Sequence, residues 1–322
     1  MSRMHPIPEA LRQKILRFYN LEHAPLFADG AEAEVYVRDE QTLLKLYTGG
    51  EDRVARLRIL RDFYAGIARS DVPLPAIQDI RVFPDEEIIG VIETRLNGRP
   101  LEDTIDHLQG DDLERAENLY LDALFHVGTI QITEPPTQYR LFDESKASDR
   151  GRGRFEAYYA LCLREKLKVV SPFFASFDAR FPAMSKALVE AIETQPDAPL
   201  SIVHGDLFPG NILVNETLDC VEGVIDFGMS TLFGNSLIDV ASGFGYYRMY
   251  ASNRNGIRAA LLPKVLERLP NEEHPLFFQF LLANAILTSN LYTTNPDPRD
   301  NGHFQWALNI LSEEEYWQRA LG

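Results

Sequence analysis

Cysteine is scarce in this chain: Cys162 and Cys220 are its only two in 322 residues, too few and too far apart for a disulfide framework or a Cys-type zinc site. A reducing cytoplasm fits that usage. Positive charge is also in short supply. The 32 Lys and Arg face 48 Asp and Glu, a formal charge of -16, which argues against a protein that grips nucleic acid through a basic face. Long apolar runs are missing as well. No apolar stretch follows Arg3, so no secretory signal is expected. The longest uncharged segment, Pro275 to Pro296, is broken by Gln279, Asn284, Ser289 and Asn290, which suit a buried helix better than a membrane span.

What remains is ordinary globular composition, 45% apolar and 25% charged, at a length that suits roughly two domains. The charge is unevenly shared. Residues 1–100 hold 14 basic and 16 acidic side chains, and residues 101–322 hold 18 and 32, so a balance of -14 falls on the second part.

Pro8 to Tyr19 sets Leu11, Ile15 and Leu16 on one helical face. Short strands follow at Pro25 to Phe27, Glu34 to Val37 and Thr42 to Tyr47, an antiparallel meander. Glu51 to Ala68 returns to helical spacing, and Pro73 and Pro75 stop it. Two more strands, Ile77 to Val82 and Glu87 to Leu96, flank a turn at Phe83 to Glu86. Beyond Asn97-Gly98-Arg99-Pro100 the helical period dominates: Leu101 to Leu108, Asp112 to Thr133, Arg154 to Lys168, Pro182 to Glu193, Arg254 to Arg268, Leu276 to Leu291, Gly302 to Leu311 and Glu313 to Arg319. A strand-turn-strand island interrupts it at Ile202 to Val224. The expectation is an α+β chain in two lobes, a small antiparallel-sheet lobe over residues 1–96 and a larger helical lobe over 97–322.

The chemistry-bearing residues sit in that island. His204-Gly205-Asp206-Leu207-Phe208-Pro209-Gly210-Asn211 is followed by Ile225-Asp226-Phe227-Gly228. Asp206 and Asn211 lie five residues apart on a loop entering a strand, and Asp226 closes the next strand. This suits phosphoryl transfer: one Asp accepts or orients the acceptor hydroxyl, while Asn and the second Asp offer hard oxygens to a magnesium ion bridging nucleotide phosphates.

On these two motifs the chain resembles the aminoglycoside phosphotransferase and choline kinase-like small-molecule kinases, which share the protein-kinase fold. The resemblance spans about residues 25 to 245. It implies a bilobal kinase-like fold, ATP or GTP as co-substrate with Mg2+, Asp206 as catalytic base, and Asn211 and Asp226 as metal ligands. It further implies that Lys45, on the strand after a loop containing Gly30, holds phosphates. Glu93-Thr94-Arg95 becomes a hinge whose backbone, at Glu93 and Arg95, bonds the base, while His204 and Asp239 support the catalytic loop. Two departures stand out. The loop Asp29 to Glu34 has a single glycine, with Glu32 placed to repel phosphate if turned inward. The helix after Lys45 offers acids at its start, Glu51 and Asp52, and late, Asp62, with arginines between, so no acidic partner for Lys45 can be assigned.

Other residues take plain readings. His126 reads as a core histidine, His274 and His303 have no ligand-spaced partners, and Ser312 to Glu315 reads as a capping box. The expected activity is phosphoryl transfer to a hydroxyl of a small acceptor. Because the acid excess falls on the acceptor-binding lobe, a polycationic aminoglycoside leads, ahead of homoserine-, choline-, sugar- or macrolide-type acceptors. Only ten residues separate Asp-Phe-Gly from Asp239, too few for a protein-kinase activation segment. A non-catalytic nucleotide-binding module is the alternative from another class.

Overall fold

The computed structural model describes residues 7–30, 33–142, 148–291, 293 and 295–322. The chain opens with α1 (Glu9–Phe18), β1 (Leu26–Asp29), β2 (Ala33–Val37), β3 (Thr42–Thr48), α2 (Glu51–Ala65), β4 (Ile67–Arg69), β5 (Ile77–Phe83) and β6 (Ile88–Thr94). One antiparallel five-stranded sheet forms in the order β1-β2-β3-β6-β5. Its central strands, Thr-Leu-Leu-Lys-Leu-Tyr-Thr and Ile-Ile-Gly-Val-Ile-Glu-Thr, are apolar on both faces apart from buried Lys45 and Glu93, because both faces are covered. Leu44, Leu46, Ile88 and Ile92 pack with Ile15 and Leu16 of α1. Tyr47, Ile89 and Val91, on the other face, pack with Val54 and Leu57 of α2. Gly90 on the α1 side has no room for a side chain, since a Cβ there would meet the Tyr19 hydroxyl at 2.5 Å. Arg12 fastens α1 to the sheet by a two-pronged bond to buried Glu34, each prong 2.8 Å, and the Tyr36 hydroxyl donates to the same carboxylate at 2.7 Å.

The second lobe starts with β7 (Arg99–Pro100), α3 (Glu102–Ile105), α4 (Gly110–Val127) and β8 (Gln131–Ile132), then α5 (Phe155–Ala175) and α6 (Phe181–Glu193). The strand island follows as β9 (Ser201–Val203), β10 (Ile212–Val214), β11 (Val221–Val224) and β12 (Leu232–Gly234). Helices α7 (Leu237–Tyr246), α8 (Arg254–Glu267), α9 (His274–Thr288), α10 (Gly302–Leu311) and α11 (Glu314–Leu321) complete it. Strand β10 pairs with both β7 and β11, β9 with β12, and β4 with β8, every pair antiparallel. Helix α9 carries apolar residues on every side, with Gln279 and Asn284 buried among them, and is buried from Phe277 to Ile286, the axis of this lobe. Phe174 and Phe304 stack on one side of it at 4.6 Å, and Trp306 Nε1 donates to the Gly245 carbonyl at 2.8 Å.

The two-lobed α+β architecture agrees with the sequence reading, and the differences are local. The helix expected to Ala68 stops at Ala65, and the one expected to Thr133 stops at Val127, because Ile67–Arg69 and Gln131–Ile132 leave their helices to pair with each other. The third expected helix shrinks to the single turn α3, while α5 runs on through Pro172 to Ala175. Helix α7 was not expected, since its glycines and serine mask the helical period. Gly243 allows α7 to approach α4 closely: a Cβ there would sit 2.3 Å from the Leu124 side chain. His126 is exposed, contrary to the core reading, because its position on α4 falls outside the face that α7 covers. The Ser312 hydroxyl bonds back to the Leu308 carbonyl at 2.7 Å and closes α10, so no capping box forms there.

Candidate active site

Between β9 and β10 the chain must turn sharply and still satisfy its backbone. Asp239, fully buried at the start of α7, accepts the amide hydrogens of His204 at 2.7 Å and Gly205 at 2.8 Å. Gly205 takes φ +80°, and a Cβ there would lie 2.1 Å from the Ser230 carbonyl oxygen, so both the turn and the close approach require glycine. The Tyr120 hydroxyl sits between the carbonyls of Leu207 at 3.0 Å and Gly243 at 2.7 Å, tying the loop to α4 and α7. Asn211 Nδ2 donates to the Asp206 carbonyl at 2.8 Å, which closes the loop on itself.

The second segment is stitched to the first. The Ile225 amide donates to the Asn211 carbonyl at 3.0 Å, and His204 Nε2 donates to the Ile225 carbonyl at 2.8 Å while its Nδ1 accepts the Asp206 amide at 3.2 Å. The imidazole ring lies 4.4 Å from the Phe227 ring. Asp226 itself is in the left-handed region at φ +64°, a conformation that costs energy in a non-glycine residue and projects its side chain out of the loop.

Burial and charge set the ionisation of these groups. Burial, with the neighbouring Asp226 charge, pushes the Asp206 carboxyl up to about 6. Asp239 is pushed up to about 7 by burial, against the pull of its two backbone hydrogen bonds. Burial lowers His204 to about 4, so the ring is neutral at pH 7. Burial alone would lower the Lys45 ammonium too, but Glu93 and then Asp226 hold it well above its ordinary value.

The sequence-derived residues are thus brought together in part. Lys45 Nζ reaches Asp226 Oδ1 at 3.5 Å across the two lobes, and the Asp206 carboxylate lies within electrostatic reach of Asp226. Gly30 ends β1 with its amide on the Ala33 carbonyl at 3.0 Å, whereas Ala31 and Glu32 lie outside the described residues. The segment expected as a hinge, Glu93 to Arg95, continues the sheet. The Arg95 amide donates to the Gln41 carbonyl at 2.7 Å, as sheet pairing continues past β6. The Glu93 side chain turns its carboxylate to Lys45, Oε1 to Nζ 2.7 Å. Sequence reasoning missed this pair, and it missed Tyr120. Only the strand register could have revealed the first, because Glu93 and Lys45 are far apart in sequence and meet by pairing alone.

The donor set around the motifs suits magnesium brought by a nucleotide. With Asn211 Nδ2 occupied, its Oδ1 is the atom left to offer, and Asp226 adds an exposed carboxylate. Magnesium takes one or two such protein oxygens and fills the rest of its octahedron with phosphate and water. Among the described residues there is no group of three or more His, Cys, Asp or Glu that would hold a metal without a nucleotide.

No curated protein matches this sequence. Solved structures do match its fold. A thermostable mutant of aminoglycoside phosphotransferase APH(4)-Ia, solved with AMP-PNP and hygromycin B, superposes with TM-score 0.69 at 14% identity over 98% of this chain and 100% of that one. The GDP complex of an aminoglycoside 2'-phosphotransferase-IIIa F108L mutant gives 0.59 at 14% identity, over 95% and 97%. A putative aminoglycoside phosphotransferase from Ralstonia eutropha JMP134 gives 0.53 at 16%, over 96% and 97%. A family model described as the APH phosphotransferase enzyme family matches residues 23–269, a span that takes in the sheet lobe, both motifs and Asp239. On that match, with the loop geometry found at His204 to Asp226, the chain belongs to the APH phosphotransferase enzyme family.

Proposed function

We propose that this phosphotransferase moves the γ-phosphoryl group of ATP or GTP to a hydroxyl of a small acceptor, with residues 1–96 as the nucleotide lobe and 97–322 as the catalytic and acceptor lobe. The observation that carries the reading is the meeting of Lys45 and Asp226 across the lobes, 3.5 Å apart, beside the Asp206 carboxylate. In this reading Asp206 takes the acceptor proton as the acceptor oxygen bonds to the γ-phosphorus and the bond to the β-phosphate bridge breaks, releasing the nucleoside diphosphate. Lys45 neutralises phosphate oxygens from above, and Gly30 lets the β1–β2 turn come near them. Asn211 Oδ1 and Asp226 would hold magnesium, which supplies positive charge between the phosphates. His204 and Asp239 support the loop without touching substrate. The cysteine usage and the lack, among the described residues, of any helix long and apolar enough to cross a membrane support a cytoplasmic setting.

For the acceptor, an aminoglycoside is supported by the charge of -14 over residues 101–322 and by what the similar folds bind. One observation favours a second reading, a neutral or anionic acceptor. Several second-lobe acids sit in local ion pairs, among them Glu117 with Lys264 and Asp122 with Arg268. One neighbour of Asp206 is aromatic. Tyr250 feels the Asp206 charge and lies 3.4 Å from His303 Nδ1. Elsewhere in the second lobe, Arg140 donates to the Tyr158 hydroxyl at 3.1 Å, and half-buried Lys166 bonds Asn290 at 2.6 Å and, among the described residues, no carboxylate. The deciding experiment is a coupled ADP-release screen of aminoglycosides beside homoserine, choline, simple sugars and macrolides at 0.1 M and 1 M salt, where the Debye length falls from about 10 Å to about 3 Å. Salt-sensitive turnover of an aminoglycoside supports the first reading and turnover confined to an uncharged or anionic acceptor the second. Nucleotide binding without transfer to any acceptor or water would sink the enzymatic reading of this site.

A further inference from the structure

A lysine that contacts phosphates acts as a point charge on a flexible four-carbon stem, so it needs an anion behind it to fix where the charge sits. Helix α2 packs against the face of the sheet that carries Lys45, yet it supplies no carboxylate there. Its inward residues are Val54, Leu57 and Tyr64, and its acids, Glu51, Asp52 and Asp62, are all exposed. The anion comes from the sheet itself. Leu43 pairs with Glu93 and Lys45 with Val91, so all four side chains share one face and Glu93 stands diagonally opposite Lys45. Glu93 is 4% exposed, and its Oε1 is 2.7 Å from Lys45 Nζ. Tyr64 closes the cluster from α2.

We propose that Glu93 is a positioning residue for phosphoryl transfer: from strand β6 it holds the Lys45 ammonium in place, the task for which α2 offers no acid. This rests on the reading of Lys45 as the phosphate-binding group. One consequence follows from the location. Because β3 and β6 are hydrogen-bonded neighbours, the Lys45–Glu93 pair moves as one piece with the sheet, and a shift of α2 does not break it. The ammonium is then poised between a buried carboxylate behind it and the more exposed Asp226 in front.

The experiment is a double-mutant cycle of Glu93→Gln with Lys45→Ala, read in two ways: affinity for magnesium-AMP-PNP by calorimetry, and kcat and KM for ADP release from magnesium-ATP with water as acceptor. Glu93→Gln is expected to lower kcat about tenfold or more with a smaller change in KM, as for a group that aligns another rather than binding substrate. In the Lys45→Ala background the same change should alter neither affinity nor kcat by more than about twofold, since its effect passes through the lysine. Glu93→Asp, which keeps the charge on a shorter arm, should fall between wild type and Glu93→Gln, and serves if the amide variant does not fold. Glu51→Ala with Asp52→Ala should leave all three constants within about twofold. Equal losses from Glu93→Gln in both backgrounds, or a folded Glu93→Gln enzyme with wild-type constants, overturn the proposal while leaving Lys45 in its role. If Lys45→Ala is itself without effect on affinity and kcat, the reading of Lys45 fails and the proposal falls with it.

Discussion

Asp239 Oδ1, in the first turn of α7, accepts the amide hydrogen of Gly205 at 2.8 Å, thirty-four residues away in sequence. With the matching bond from His204 to Oδ2, one carboxylate satisfies both donors of a turn that β9 cannot pair. Stranding a buried donor costs about 1–3 kcal/mol. Asp239→Ala strands two, and we expect a loss of roughly 3 kcal/mol in urea unfolding, with turnover lost alongside. Asp239→Asn, which keeps one acceptor oxygen, should cost about half as much.

Gly205 meets the same turn from the other side. Alanine there would have to adopt a positive φ and press against the Ser230 carbonyl, which is backbone and cannot swing away. Strain of this kind costs on the order of 1–3 kcal/mol, and relief requires the β9–β10 loop to shift. Gly205→Ala should therefore be less stable by that amount and should lose turnover more steeply than nucleotide affinity, as comparison of calorimetry with steady-state rates would show.

For Asp206, the carboxamide variant keeps size and shape and removes proton acceptance. A positioned base contributes about 10²- to 10⁴-fold in rate. Asp206→Asn should lose turnover in that range on whichever acceptor the screen identifies and keep affinity for magnesium-nucleotide within about twofold. Near wild-type turnover would remove Asp206 from the chemistry.

The sequence made part of this site legible and hid the rest for physical reasons. The His204 to Asn211 and Asp226 to Gly228 motifs are local in the chain, so their spacing alone pointed to adjacent loops. The central strands were legible because burial on both faces leaves mostly apolar runs at Leu43 to Tyr47, broken only by Lys45, and at Ile88 to Ile92. Strand pairing decides which residues of those runs face each other, and periodicity carries no record of it. Glu93 was therefore read for its backbone alone, and the pairing of its side chain with Lys45 stayed hidden. Helix α7 was hidden for another reason: Ser242, Gly243 and Gly245 are there because α4 and α9 come close, which lowers helix propensity where packing supplies the stability instead.

Asp226 stands in a costly backbone conformation and bonds Lys45 at 3.5 Å. Removing its carboxylate takes away an anionic oxygen that magnesium, held to near-octahedral geometry, replaces reluctantly. Asp226→Ala should weaken magnesium-dependent nucleotide binding by about tenfold or more while changing metal-free nucleotide binding far less. Calorimetry with and without the metal separates the two, and equal affinities for wild type and variant in both conditions would exclude Asp226 as a ligand.

His204 gives the fold a pH dependence whose sign follows from burial. The ring is 1% exposed and neutral, its folded value lowered to about 4 from an ordinary 6.5. Above 6.5 both folded and unfolded chains hold it neutral, and its contribution to stability is complete. As the pH falls from 6.5 toward 4 the unfolded chain takes up a proton that the folded chain refuses, so stability is lost across that window, by at most about 3 kcal/mol. Asp239, raised to about 7, acts in the opposite direction across that whole window, and Asp206, raised to about 6, does so over most of it, so the wild-type slope is a sum. The histidine share is isolated by His204→Gln, whose side-chain amide can still donate to the Ile225 carbonyl but does not titrate. Urea midpoints measured from pH 7 to pH 4 should fall more steeply in wild type than in the variant, with the difference opening below about pH 6.5. Parallel curves would mean that the ring takes up its proton in the folded chain as readily as in the unfolded one.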